Sequence, residues 1–168
     1  MRELARRYAR SATALSCVAL ALGCASQRPP TEVFLLVDAE TALRADASSL
    51  RLRVSGSTVG GASEVALDRL VTGAELEWPV TVGIVPRGGD TTRGVRVEAT
   101  LTSTAGATVR ASARTSYLPD ETRVLRLSLE ACCAGVTCTD TESCVACTCV
   151  SDAVDVRTLP AFGADAGR

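Results

Sequence analysis

The chain has 168 residues, with 18 cationic side chains, all of them Arg, against 19 acidic ones, and it holds eight Cys and no His. That length suits one domain with small appendages. The near balance of charge argues against a nucleic-acid partner, and the missing His removes the commonest general acid–base group.

Residues 1–23 read as an export signal. Arg2, Arg6, Arg7 and Arg10 form a basic head, and residues 11–22 form a twelve-residue apolar run. Signal cores span roughly 7–15 residues and a membrane-spanning helix needs about 20, so this run is too short for a comfortable permanent span. Four Arg and Glu3 leave with the signal, which leaves 14 Arg against 18 acids, a net charge of −4. Nucleic-acid binding wants the opposite sign.

Ala21-Leu22-Gly23-Cys24 closes the apolar run. The stretch resembles the lipobox of bacterial lipoproteins. The resemblance covers residues 1–24 and implies cleavage between Gly23 and Cys24, with lipid carried on Cys24. It departs from the family's pattern in placing Ala at 21, where Leu is preferred, and Leu at 22, where a smaller residue is usual. Two rival sites exist. Ala14-Leu15-Ser16-Cys17 lies only six residues beyond Arg10, too close for a signal core. Ala19-Leu20-Ala21 suits the ordinary signal peptidase, but that cut leaves seven cysteines and one odd thiol. Loss of Cys17 and lipidation of Cys24 leave six, an even number. Two or more acyl chains anchor a protein stably where one holds only marginally. Residues 24–31 then form a lipidated tether, polar and Pro-rich in Ser26-Gln27-Arg28-Pro29-Pro30. Ala25 stands where Asp tends to retain such proteins at the inner membrane, so the resemblance favours the outer membrane over the inner.

The span 32–130 reads as strands. Val33–Val37 is a continuous apolar run, as in a strand covered on both faces. Leu50, Leu52 and Val54 alternate with Arg51 and Arg53. A weaker strand is expected at 65–71. Trp78, Val80, Val82 and Ile84 share one face of the next. Val95, Val97, Ala99 and Leu101 pair through a turn at 104–106 with Val109, Ala111 and Ala113. Leu125, Leu127 and Leu129 close the set. Six or seven short strands in about 100 residues suit an all-β antiparallel β-sandwich of immunoglobulin-like type. Helical pattern is scarce, with room for one turn within 37–50.

Six cysteines crowd into residues 132–149: Cys132, Cys133, Cys138, Cys144, Cys147 and Cys149. Export and the missing His favour disulfides over a zinc site, although Cys144-x-x-Cys147 has a ligand spacing. A thioredoxin-like redox role lacks its βαβ context. Six cysteines allow 15 pairings. Cys132–Cys133 and Cys147–Cys149 are geometrically awkward, the rest stay open, and the pairing expected among them is Cys133–Cys144, Cys138–Cys149 and Cys132–Cys147. Residues 131–150 are expected to form a small self-contained disulfide module. Its reduction should then leave the body strands protected. Residues 151–168 are expected to be an irregular tail, with 159–162 able to dock and 163–168 frayed.

Across 24–168 the chain also resembles a loose group of uncharacterised envelope lipoproteins from high-GC Gram-negative bacteria. The features are E-V-F-L-L-V-D at 32–38, V-P-R-G-G-D at 85–90 and the terminal cysteines. The resemblance implies an envelope location and supplies no activity.

Catalytic constellations are thin. Ser-Lys pairs and G-x-S-x-G are absent from the sequence. Asp38/Glu40 and Asp152/Asp155 are the carboxylates available for pairing, and they read as solvated loop charge. Arg87-Gly88-Gly89-Asp90 reads as a plain interstrand turn before an anion cradle. Trp78 reads as core before sugar platform. The expectation is a non-enzymatic, lipid-anchored envelope protein without a cofactor, acting in structure, assembly or protein interaction. Its partners would be the membrane and an envelope protein. The alternative is a ligand- or carbohydrate-binding β-sandwich lipoprotein.

Overall fold

The computed structural model describes residues 30–57, 61 and 63–163. In chain order the body strands are β1 (Glu32–Ala39), β2 (Ala47–Ser57), β3 (Glu64–Thr72), β4 (Val80–Ile84), β5 (Gly94–Ser103), β6 (Thr108–Thr115) and β7 (Thr122–Leu129). A hairpin of β8 (Glu142–Val145) and β9 (Thr148–Ser151) follows. The body is an all-β sandwich of a three-stranded sheet, ordered β4-β1-β7, and a four-stranded sheet, ordered β3-β2-β5-β6. A disulfide-rich module comes after it.

The period-2 pattern explains the core. Successive strand side chains point to opposite faces. Leu50, Leu52 and Val54 of β2 face inward with Val97, Ala99 and Leu101 of β5. The β5–β6 hairpin sets Leu101 opposite Val109, Ala99 opposite Ala111 and Val97 opposite Ala113. Gly106, at φ 84°, supplies the left-handed turn residue between them. Across the sandwich, Val33, Leu35 and Val37 of β1 meet the same core with Leu125, Leu127 and Leu129 of β7. The weak strand at 65–71 is real but is an edge. Of β3 only Val71 is buried, and Leu70 is 62% exposed.

One pairing departs from an all-antiparallel sandwich. β1 runs antiparallel to β4 but parallel to β7, with Val33 opposite Arg123 and Val37 opposite Leu127. A one-and-a-half-turn helix, α1 (Thr41–Asp46), carries the chain from the β1 sheet to the β2 sheet. Arg44 folds back from it onto Asp38 and the Ala39 carbonyl, at 2.8 and 2.6 Å.

The residues expected as an irregular tail close the sandwich seam. Beyond β9 the chain forms single bridges to both neighbouring edges, Ala153 to Arg114 of β6 and Ala161 to Arg123 of β7. Between them Val156 and Leu159 sink into the common core at 5% and 8% exposure. Each contributes about 1.5–3 kcal/mol when buried. Phe162 then lies over Phe34, ring centroids 4.9 Å apart. Phe34, on the outer face of β1, thus gains an apolar partner from this docked segment. Exposed strand edges invite unwanted pairing, and here the terminal segment occupies two of them. The expected fraying beyond Gly163 lies outside the described residues, as do residues 1–29.

Candidate functional site

Gly23 and Cys24 lie outside the described residues. The six remaining cysteines are paired as Cys132–Cys147, Cys133–Cys144 and Cys138–Cys149, with Cα separations of 5.2, 5.8 and 5.6 Å. All three fall in the range of unstrained disulfides, roughly 4.4–6.8 Å. The pairing is the one expected among the connectivities the sequence left open. Glu130 sits with Cys132 and Cys133 in a group of metal-ligating types, but both sulfurs there are disulfide sulfurs.

The module is not self-contained, which corrects the expectation above. Cys133 and Cys144 are 2% and 4% exposed and belong to the hydrophobic cluster of the sandwich itself. The module docks along the free edge of β6. Ser112 N–H donates to Ser143 Oγ at 2.9 Å, and Gly135 N–H donates to the Thr108 carbonyl at 3.3 Å. The bond Cys133–Cys144 therefore staples a core contact, while Cys132 and Cys147 are both exposed. A short segment with few apolar side chains lacks the area for its own core, so it borrows that of the sandwich.

The carboxylates offered for chemistry all have structural partners. Asp38 pairs with Arg44, and Glu40 accepts the Ala131 N–H at 3.1 Å. Asp155 accepts the Arg157 backbone N–H at 3.0 Å and caps a 3-10 turn at Val156–Thr158. The Arg157 guanidinium, with that backbone bond, holds the Asp155 carboxyl below the ordinary aspartate range. Asp152 corrects the solvated-loop reading. Its side chain is fully buried and accepts from Arg114 Nε at 2.6 Å, while its carbonyl accepts the Arg114 N–H at 2.7 Å. The partner lies 38 residues away, so no local pattern announces it.

The turn at 87–90 spends its amides on itself. Gly89 N–H donates to the Pro86 carbonyl and Asp90 N–H to the Arg87 carbonyl, at 3.0 and 3.3 Å. Asp90 in turn accepts from the Thr92 hydroxyl and N–H at 2.6 and 3.0 Å, which lowers its pKa. Trp78 precedes β4 and packs half-buried at the margin of the core.

Two concavities stand out. One, of about 420 Å³, lies where the body begins, lined by Pro30, Phe34 and Phe162. The other, of about 370 Å³, opens where the two sheets part, between the end of β4 and the start of β5. Arg93 and Tyr117 line it, and the sequence reading singled out neither for it. Tyr117 was legible: the alternation Val109, Ala111, Ala113 continues inward through Thr115 to Tyr117. Arg93, one residue before β5, has no such signal. Among the described residues no helix is long and apolar enough to cross a membrane.

No protein-family model matches the chain, and no curated protein matches it either.

Proposed function

We propose that this chain is a lipid-anchored protein of the cell envelope, attached through Cys24, that acts without catalysis through its position and its protein contacts. The observation that carries this reading is the Cys133–Cys144 bond inside the main core. A fold whose core contains a disulfide belongs in an oxidising compartment, and the export signal and lipobox at 1–24 supply the route. The first strand begins at Glu32. The tether from Cys24 is therefore eight residues, a reach of roughly 26–29 Å at full extension. Such a body works close to the bilayer surface. Ala25 favours the outer membrane within this reading. The structural engagement of Asp38, Glu40, Asp152 and Asp155 supports a non-enzymatic role.

Labelled palmitate should enter the wild-type protein in a Gram-negative host and not the Cys24→Ser variant. Crosslinking in intact envelope should then capture a partner protein that the variant loses. Equal labelling of both proteins overturns the anchoring. The alternative reading, a ligand-binding lipoprotein, is favoured by the cleft between the sheet ends.

A further inference from the structure

The cleft between the sheet ends has an apolar floor and a cation, Arg93, that no side-chain ion pair or hydrogen bond holds among the described residues. Val54, Ile84 and Val95, all buried, come from both sheets and form the floor. Val65 and Val85 stand at its walls, 43% and 64% exposed. Surface valines are common singly, but here two share one concavity with the floor. A register shift between Val54 and Ser55 lies on the β2 wall. Such bulges bend a strand and are frequent beside binding sites.

The charges sort unevenly. Arg87 and Glu64 neutralise each other, with Arg87 Nη1 at 2.6 Å from both carboxylate oxygens. Arg93 makes no ion pair or side-chain hydrogen bond among the described residues. Its guanidinium lies over Gly56, where a Cβ would sit 3.9 Å from Nη2. The absence of a side chain at 56 leaves that space open. Asp90, the acid that feels Arg93, is already held by Thr92. Tyr117 lines the same cleft and is 8% exposed. Burial raises its phenol pKa against the opposing pull of Arg93, so at neutral pH it remains a hydroxyl donor. A cleft of this size lies at the small end of ligand pockets, roughly 300–1,000 Å³.

We infer that this cleft binds a small organic anion with an apolar body, its carboxylate-like head on Arg93 and Tyr117 and its body on Val54, Ile84 and Val95. Arg presents a planar fork of donors that fits a carboxylate, and the apolar floor rewards a hydrocarbon tail. The neutralised Glu64–Arg87 pair leaves Arg93 as the charge that selects. The site uses body residues alone, so it stands whether or not Cys24 carries lipid.

The probe is hexanoate, with hexanamide as its uncharged counterpart, titrated by ligand-observed NMR against the purified full chain. The expected result is saturable hexanoate binding with a Kd below about 10 mM, at least tenfold weaker for hexanamide, a difference of about 1.4 kcal/mol. Arg93→Gln should weaken hexanoate at least tenfold while leaving the circular dichroism spectrum unchanged, since among the described residues Arg93 carries no side-chain hydrogen bond or ion pair. Gly56→Val should weaken both probes by filling the cleft. Absence of saturable binding to the wild type overturns the inference. So does equal binding of the two probes, or hexanoate binding indifferent to Arg93→Gln.

Discussion

Removing one disulfide at a time separates two accounts of what the cysteines do. Cys132–Cys147 closes a 15-residue separation, and Cys133–Cys144 closes one of 11. In the chain-entropy account each is worth about 3 kcal/mol, and the longer loop is worth roughly 0.3 kcal/mol more. Entropy alone therefore ranks Cys132–Cys147 as the more important bond. Burial reverses the order. Cys133 and Cys144 are 2% and 4% exposed in the sandwich core, while Cys132 and Cys147 are exposed. Deleting a buried sulfur costs about 1 kcal/mol of packing, as for a methylene-sized group. The double variant Cys133→Ala/Cys144→Ala should thus lose about 5 kcal/mol, and Cys132→Ala/Cys147→Ala about 3 kcal/mol. Urea unfolding, after mass mapping of the two remaining bonds, reads the difference as a midpoint about 1 M lower for the buried pair. Amide exchange should open β6 along with the module in that variant, because Ser143 and the Gly135 amide cap the β6 edge. Equal midpoints, or a lower midpoint for the exposed pair, would refute the claim that the module shares the core. β6 amides that stay protected while the module opens would do the same.

Three other outcomes follow from the same geometry. Arg114→Ala should cost about 3–5 kcal/mol by leaving the fully buried Asp152 carboxylate uncompensated. Asp152→Ala should cost only about 1–2 kcal/mol, since the 41% exposed Arg114 side chain can turn to water. Thermal unfolding of the two variants decides the order. Asp155 has a folded pKa below the 3.8 of the free residue, through Arg157. Its contribution is complete above that value and is lost as pH falls through the lower folded value. The Tm gap between wild type and Asp155→Asn should accordingly shrink on acidification below pH 4, and a gap that widens there would contradict the pairing. For Tyr117 the raised pKa means that stability tied to the neutral phenol is complete below pH 10 and lost as pH rises through the folded value. Ultraviolet titration should place this phenol above pH 10, and Arg93→Gln should move it higher still. A phenol that does not move, or moves down, would place Arg93 away from the ring.

The alternating body strands and their inward faces were legible in the sequence, whereas the β8–β9 hairpin and the inward face of β1 were not. Alternation in Leu50–Val54, Val95–Leu101 and Leu125–Leu129 is a local record of burial, because strand side chains flip at every residue. The sequence also showed that six cysteines crowd into eighteen residues, but local spacing leaves most of the 15 pairings open, and the structure selects one of them. What the module docks against, and how the last segment closes the seam, depend on contacts between distant parts of the chain. Cys133 reads the same whether its sulfur faces solvent or the core, and Leu159 has no periodic neighbours to mark it as buried. Asp152 looks like loop charge until the chain brings it back to Arg114 on an edge strand 38 residues earlier. The parallel pairing of β1 with β7 and the cleft where the sheets part depend on strand order. Strand order is set by long-range packing between segments whose local patterns are alike, so no window of the sequence contains it.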